Sequence, residues 1–206
     1  VIPQLVASRW VDTLERKRPY YARYSVIRFV VLLALAGTVL AADFIPNVWV
    51  AVLFFVFFTA RYVAQGVSSL CFQDIIAKSV PTTRRGSLWM WRWAGGITLI
   101  FLVSVPTIRY LLGDTSPLEF PVNYGVLIAA GTLVMGTAWF IFSQIDEPEG
   151  SPARHTLTPA QHLARGLRIW GRDPKFRYFV LIRMFLRGAG AIRPFLIAFG
   201  AQIWGM

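Results

Sequence analysis

Arg61 stands in the middle of a long apolar run, and Gln65, Ser68 and Ser69 follow it at spacings that fall on one face of an α-helix. Val63, Val67 and Leu70 fall on the other side. A guanidinium placed in hydrocarbon costs roughly 2.5–3.5 kcal/mol on insertion scales, so an arginine at such depth is a functional candidate by default. Two readings stand. The stripe faces a water-filled cavity, where the planar fork of donors suits a carboxylate or phosphate, or Arg61 is structural and bonds carbonyls of neighbouring helices. Arg187 and Arg193 raise the same question in the last apolar run, beside Gly188, Gly190 and Pro194. Glycine and proline permit a broken helix, a backbone form that recurs at solute sites in membranes. Arg187, like Arg183, also lies close enough to the start of its run to snorkel to the interface.

Charge pairing at the ends of apolar runs is the second kind of chemistry. Asp12 stands with Arg16 and Lys17 before one run, and Asp74 and Arg85 lie between two others. An aspartate at a helix end pairs with cations or with the positive N-terminus of a neighbouring helix, while clustered arginine and lysine hold a loop at an anionic lipid surface. Enzymatic constellations are missing from the runs. No His, Asp or Glu lies inside a complete run, His155 and His162 fall in a loop, and Cys71 is the single cysteine. No metal and no cofactor are expected, and Cys71 reads as a small packing residue.

The elements that must position these residues follow from composition. Hydrophobic residues make up 56% of the 206-residue chain and charged residues 15%, with a mean hydropathy of +0.54. Soluble domains carry nearer a quarter charged residues, so a soluble globular fold is excluded and an integral membrane protein is expected. The net charge of +11 sits between the apolar runs and no nucleic-acid-binding signature accompanies it. The lipid bilayer, not nucleic acid, is the expected partner.

A membrane span needs about 20 mostly apolar residues. Four complete runs meet that length: Ser25 to Ala42, Val48 to Phe72, Leu88 to Leu112 and Val122 to Ile145. A fifth starts near Phe176 and is still apolar at Met206, and Val1 to Val11 reads as the end of a preceding helix. The chain is therefore expected to be part of a longer protein with further spans. Lysine and arginine crowd alternate loops: Arg9 to Arg23, Lys78 to Arg92, and Arg154 to Arg177. The positive-inside rule makes those loops cytoplasmic. In the longest loop, Thr158 and Pro159 form a helix start, and Leu163, Leu167 and Trp170 recur at helical spacing beside Arg165 and Arg168. A short basic amphipathic helix on the inner membrane surface accounts for that pattern, with a linker carrying one helical turn as the alternative.

The stretch Ser8-Arg-Trp-Val-Asp12-Thr-Leu-Glu-Arg16-Lys17 resembles the loop motif of the major facilitator superfamily, Gly-x-Leu-x-Asp-Arg-x-Gly-Arg-Arg. Asp12, Arg16 and Lys17 match it; Ser8, Thr13 and Glu15 replace other motif positions. Asp74 through Pro81 to Arg85-Gly86 is similar to the family's loop between helices four and five, and Glu147-Pro148 before a long basic loop is also family-like. The helix-five antiport pattern of the family is not reproduced by Gly95, Gly96 and Pro106. The resemblance implies an all-α helical bundle of the major facilitator type, present in part. It divides the chain into an N-terminal transmembrane half at 1–145 (end of helix two to helix six), a cytoplasmic central loop at 146–175, and the first helix of the C-terminal half at 176–206. It further implies a multi-pass secondary transporter of the cell membrane working by alternating access. Arg61, Gln65, Arg187 and Arg193 would line the substrate path, with Asp12, Arg16, Lys17, Asp74 and Arg85 at a cytoplasmic gate. The excess of intramembrane cations points to an anionic small-molecule solute. A membrane-embedded lipid-modifying enzyme and a non-transporting scaffold or sensor are the rival readings.

Topology is directly testable. With single cysteines placed at 17, 47, 85, 116 and 155 in a Cys71→Ser background, an impermeant thiol reagent applied to intact cells is expected to label only positions 47 and 116. Labelling at 17 or 85 would invert the orientation.

Overall fold

The computed structural model describes residues 11, 13–113, 116–149 and 159–189, excepting the side chains at 159, 160, 162, 163, 187 and 189. Every regular element among the described residues is helical. The chain divides into two compact units, Val1–Thr156 and Leu157–Met206.

The first unit holds α1 (Arg18–Leu40), α2 (Asn47–Ser79), α3 (Thr82–Leu112) and α4 (Val122–Ser143), each long and apolar enough to cross a membrane. A one-turn 3₁₀ segment, Ala42–Phe44, joins α1 to α2. Three of these helices overrun the apolar runs at one end, while α4 stops at Ser143, short of Ile145. α1 starts at Arg18, not Ser25, with Pro19 in its first turn; α2 continues past Phe72 to Ser79; and α3 begins at Thr82, directly after Pro81. Hydropathy marks the length of chain suited to hydrocarbon. Backbone hydrogen bonding continues beyond it, wherever side chains such as Asp74 and Lys78 meet polar surroundings.

α1 packs along both α2 and α4. Its buried residues Tyr21, Ser25, Arg28, Leu32 and Leu35 alternate spacings of four and three, as do Ala64, Ser68, Cys71 and Ile75 of α2. That repeat is the seam of two helices packed at a shallow crossing angle. Small side chains let such helices approach closely where no hydrophobic drive separates protein from lipid, and Cys71 is fully buried in this seam. The α1–α4 seam relies on glycine. A Cβ at Gly125 would lie 2.6 Å from Leu40 Cγ and one at Gly136 would lie 2.5 Å from the Phe29 ring, whereas Gly131 faces open space.

No residue of Thr82–Leu99 is buried, and α3 meets α4 through its last part, Val105–Leu112. Residues Ile100–Ser104 form a π-helical turn inside α3. Pro106 explains it, since proline lacks the N–H and its ring crowds the carbonyl four residues earlier, and a wider turn relieves both problems.

The second unit contains α5 (Pro159–Arg172) and α6 (Pro174–Ala189). α5 realises the expected amphipathic helix, with Arg165, Arg168 and Arg172 on one side and Leu167 and Trp170 on the opposite side at 100° per residue; Thr158 and the side chain of Leu163 lie outside the description. Asp173 caps α6, its carboxylate accepting from the N–H groups of Lys175 at 2.9 Å and Phe176 at 3.3 Å. α6 begins at Pro174, close to the start near Phe176 expected for the fifth apolar run; it is not among the four described helices long and apolar enough to cross a membrane, and residues 190–206 lie outside the described residues.

Gly125→Val and Gly136→Val are expected to destabilise the fold by about 1–3 kcal/mol through overpacking. Gly131→Ala is expected to be neutral or to stabilise by up to about 1 kcal/mol, because alanine is the better helix former. Thermal unfolding in detergent, followed by circular dichroism, measures all three.

Candidate functional site

Two polar layers occupy neighbouring levels of the first unit. One lies where α1 begins and where α2 and α4 end. α1 has no side-chain cap of its own, and its first amides would be left unpaired. Glu147, 130 residues away in sequence, supplies the missing acceptor: its carboxylate takes the Lys17 N–H at 2.8 and 3.0 Å, and its Oε2 takes the Arg18 N–H at 2.6 Å. The carboxylate sits at the positive end of the helix dipole, and its side chain is only 1% exposed.

Two lysines complete this layer. Lys17 Nζ lies 2.8 Å from Asp74 Oδ2, and Lys78 Nζ bridges Asp74 at 3.0 Å, Glu147 at 3.2 Å and the Glu15 carbonyl at 3.2 Å. An ammonium has three donors, and all three of Lys78 find acceptors. Two cations thus face two carboxylates, and the cluster is neutral. Arg18 Nε donates to the Ser143 carbonyl at 2.6 Å, tying the start of α1 to the end of α4.

The gate residues expected from sequence divide among different tasks. Lys17 and Asp74 are in direct contact. Arg16 instead pairs with Glu149 at 2.6 Å in an exposed bridge. Arg85 turns to the backbone, donating to the Val80 carbonyl at 3.0 Å and the Ala77 carbonyl at 2.6 Å, and so clamps the tight α2–α3 junction. Asp12 lies outside the described residues. Lys78, which sequence reading counted only as loop charge, was legible as the i+4 partner of Asp74. Nothing local in the sequence marks Glu147 as the cap of a helix so far away.

The second layer is a cavity of about 820 Å³ between the helices, with Arg61 and Gln65 among its lining residues. Arg28 and Arg92 line it as well. Arg28 is 4% exposed, donates from Nη1 to Ser68 Oγ at 3.1 Å, and lays its guanidinium 3.8 Å over the Trp139 ring. The Arg92 guanidinium lies 4.9 Å from the Trp89 ring centre and 5.1 Å from that of Phe72. Arg61 sits 4.9 Å from the Tyr62 ring. The Nε atoms of Arg28 and Arg61 are buried without a hydrogen-bond partner. No carboxylate is among the described residues that line the cavity.

Arg28 falls inside the first apolar run near its basic end, where a long cation reads as one that snorkels. Burial on the α1 seam, not depth along the helix, gives it its setting. Of the remaining substrate-path residues, Arg187 belongs to α6, its side chain outside the description, and Arg193 lies outside the described residues. No group of His, Cys, Asp and Glu able to hold a metal occurs among the described residues. Compared with protein-family models, curated proteins and solved structures, the chain matches none.

Glu147→Gln keeps the shape of the cap and removes its charge, leaving Lys78 facing a neutral amide. A loss of about 3 kcal/mol in stability is expected, the scale for breaking a buried pair. Glu149→Gln, at the exposed bridge to Arg16, should cost under about 1 kcal/mol. Equal effects of the two variants in detergent unfolding would show that the buried carboxylate does not organise this end of the protein.

Proposed function

We propose that this protein is a secondary transporter of the major facilitator type, resident in the cell membrane, that moves a small anionic solute by alternating access. One observation supports the reading above others: a cavity of about 820 Å³ carries Arg28, Arg61 and Arg92, with no carboxylate among its described lining residues. Inside hydrocarbon, that concentration of positive charge is costly unless an anion or water enters. Arginine meets a carboxylate or phosphate with two parallel donors, and two buried Nε–H groups have no protein partner.

The neutral cluster of Lys17, Lys78, Asp74 and Glu147 fits the cytoplasmic gate in this reading. It ties the ends of α1, α2 and α4, and a rocking half must move as one body if the cavity is to face each side in turn. Asp12, Arg16 and Arg85 extend the same basic face, which the positive-inside rule sets toward the cytoplasm. Arg187 and Arg193 are further substrate-path residues in this reading.

In reconstituted vesicles, uptake of a panel of labelled organic and inorganic anions identifies a carried solute. For that solute, Arg61→Lys should weaken apparent affinity by losing the bidentate fork, and Arg61→Gln should weaken it further, by about tenfold or more. Affinity is counted per folded molecule. Unchanged affinity in Arg61→Gln would remove Arg61 from the solute path, and poor insertion of both variants with normal affinity would mark it as structural.

A further inference from the structure

We infer that the cavity takes an organic anion with a flat aromatic body, an arylcarboxylate, with its carboxylate on Arg28 and Arg61 and its ring against Trp139 and Trp89. The inference rests on the reading of the protein as an anion carrier and narrows the class of anion. Three observations support it.

Size comes first. At about 820 Å³, the cavity lies in the range of about 300–1,000 Å³ that encloses drug-sized organic molecules. A bare oxyanion would leave most of it to water.

The second is how the cations are held. Arg28 is fixed from two directions, by Ser68 Oγ at 3.1 Å and by the Trp139 ring at 3.8 Å. A ring against the flat face of a guanidinium leaves its in-plane N–H groups as the available donors, and those are the groups a carboxylate accepts from. The buried, unpartnered Nε of Arg28 belongs to that set. Arg92 is likewise flanked by rings, Trp89 at 4.9 Å and Phe72 at 5.1 Å.

The third is the rest of the wall. The rings of Trp89, Trp139, Phe72 and Phe142 line the cavity around its three arginines, beside the neutral polar groups of Gln65, Gln73, Ser68 and Ser69. Aromatic walls interleaved with cations stack a flat ring and hold its charged edge at once.

Titration calorimetry on the complete protein in lipid nanodiscs tests this with four probes: 2-naphthoate, the neutral 2-naphthalenemethanol, glucose 6-phosphate and inorganic phosphate. Saturable binding of 2-naphthoate, with none for the neutral alcohol and no competition from either phosphate, is the expected result. Trp89 is 38% exposed, so Trp89→Leu should fold normally while weakening 2-naphthoate about fivefold. Arg28→Gln should weaken it about tenfold or more, and Arg28→Lys serves as the variant of preserved charge should Arg28→Gln fail to fold. Binding of glucose 6-phosphate or phosphate without 2-naphthoate would overturn the arylcarboxylate assignment and leave the anion carrier standing. Absence of binding by all three anions would overturn both. Binding of 2-naphthoate unaltered by Trp89→Leu and by either Arg28 variant would place it elsewhere and also overturn the assignment.

Discussion

The first unit depends on one buried carboxylate. Glu147 caps the amides that open α1 and holds Lys78 at the end of α2, while Arg18 reaches back to the last turn of α4. Three helix ends meet there through groups that would each be expensive if left alone: free amides, a buried acid and largely buried lysines. Each satisfies another. Buried ion pairs seldom add stability relative to well-packed apolar groups, so the consequence of this one is geometric: it fixes the relative heights of α1, α2 and α4 along their axes.

Those heights determine which side chains share the next level. With α1 and α2 in register along their four-and-three repeat, Arg28 meets Ser68, and the close approach at Gly125 and Gly136 brings α4 near enough for Trp139 to stack on Arg28. A slip of one turn, about 5.4 Å, would separate the guanidinium from both partners. The cavity is thus a consequence of helix register, and small residues on the seams permit it.

Much of this arrangement was legible in the sequence, and the boundary of what was legible has a physical cause. Hydropathy located four membrane-length helices, because burial in hydrocarbon is a property of each segment by itself. The polar stripe of Arg61 and Gln65 was equally visible, being local to one helix. Arg28 and Glu147 were not, since their roles arise from contacts between segments far apart in the chain, and a single helix carries no record of its neighbour. Arg85 shows the converse: it stands in a motif-like loop, yet its donors go to the Val80 and Ala77 carbonyls of its own junction. Gly131, Gly136 and Gly125 differ only in what each faces across the seam, which sequence cannot distinguish.

The two layers differ in how their charge is balanced. Along α2, Asp74 and Ser68 are about 9 Å apart at 1.5 Å rise per residue. At the level of Asp74 the lysines are matched by carboxylates; at the level of Ser68 and above, Arg28, Arg61 and Arg92 have none among the described lining residues. Fields from matched charges cancel within a short distance, whereas unmatched cations in a low-dielectric setting act strongly on whatever enters. The matched cluster of Lys17, Lys78, Asp74 and Glu147 therefore adds little net field of its own, and the arginines set the field of the cavity. The total charge of +11 is shared by many loop residues, whereas the charge of the cavity comes from three arginines with no acid among its described lining residues.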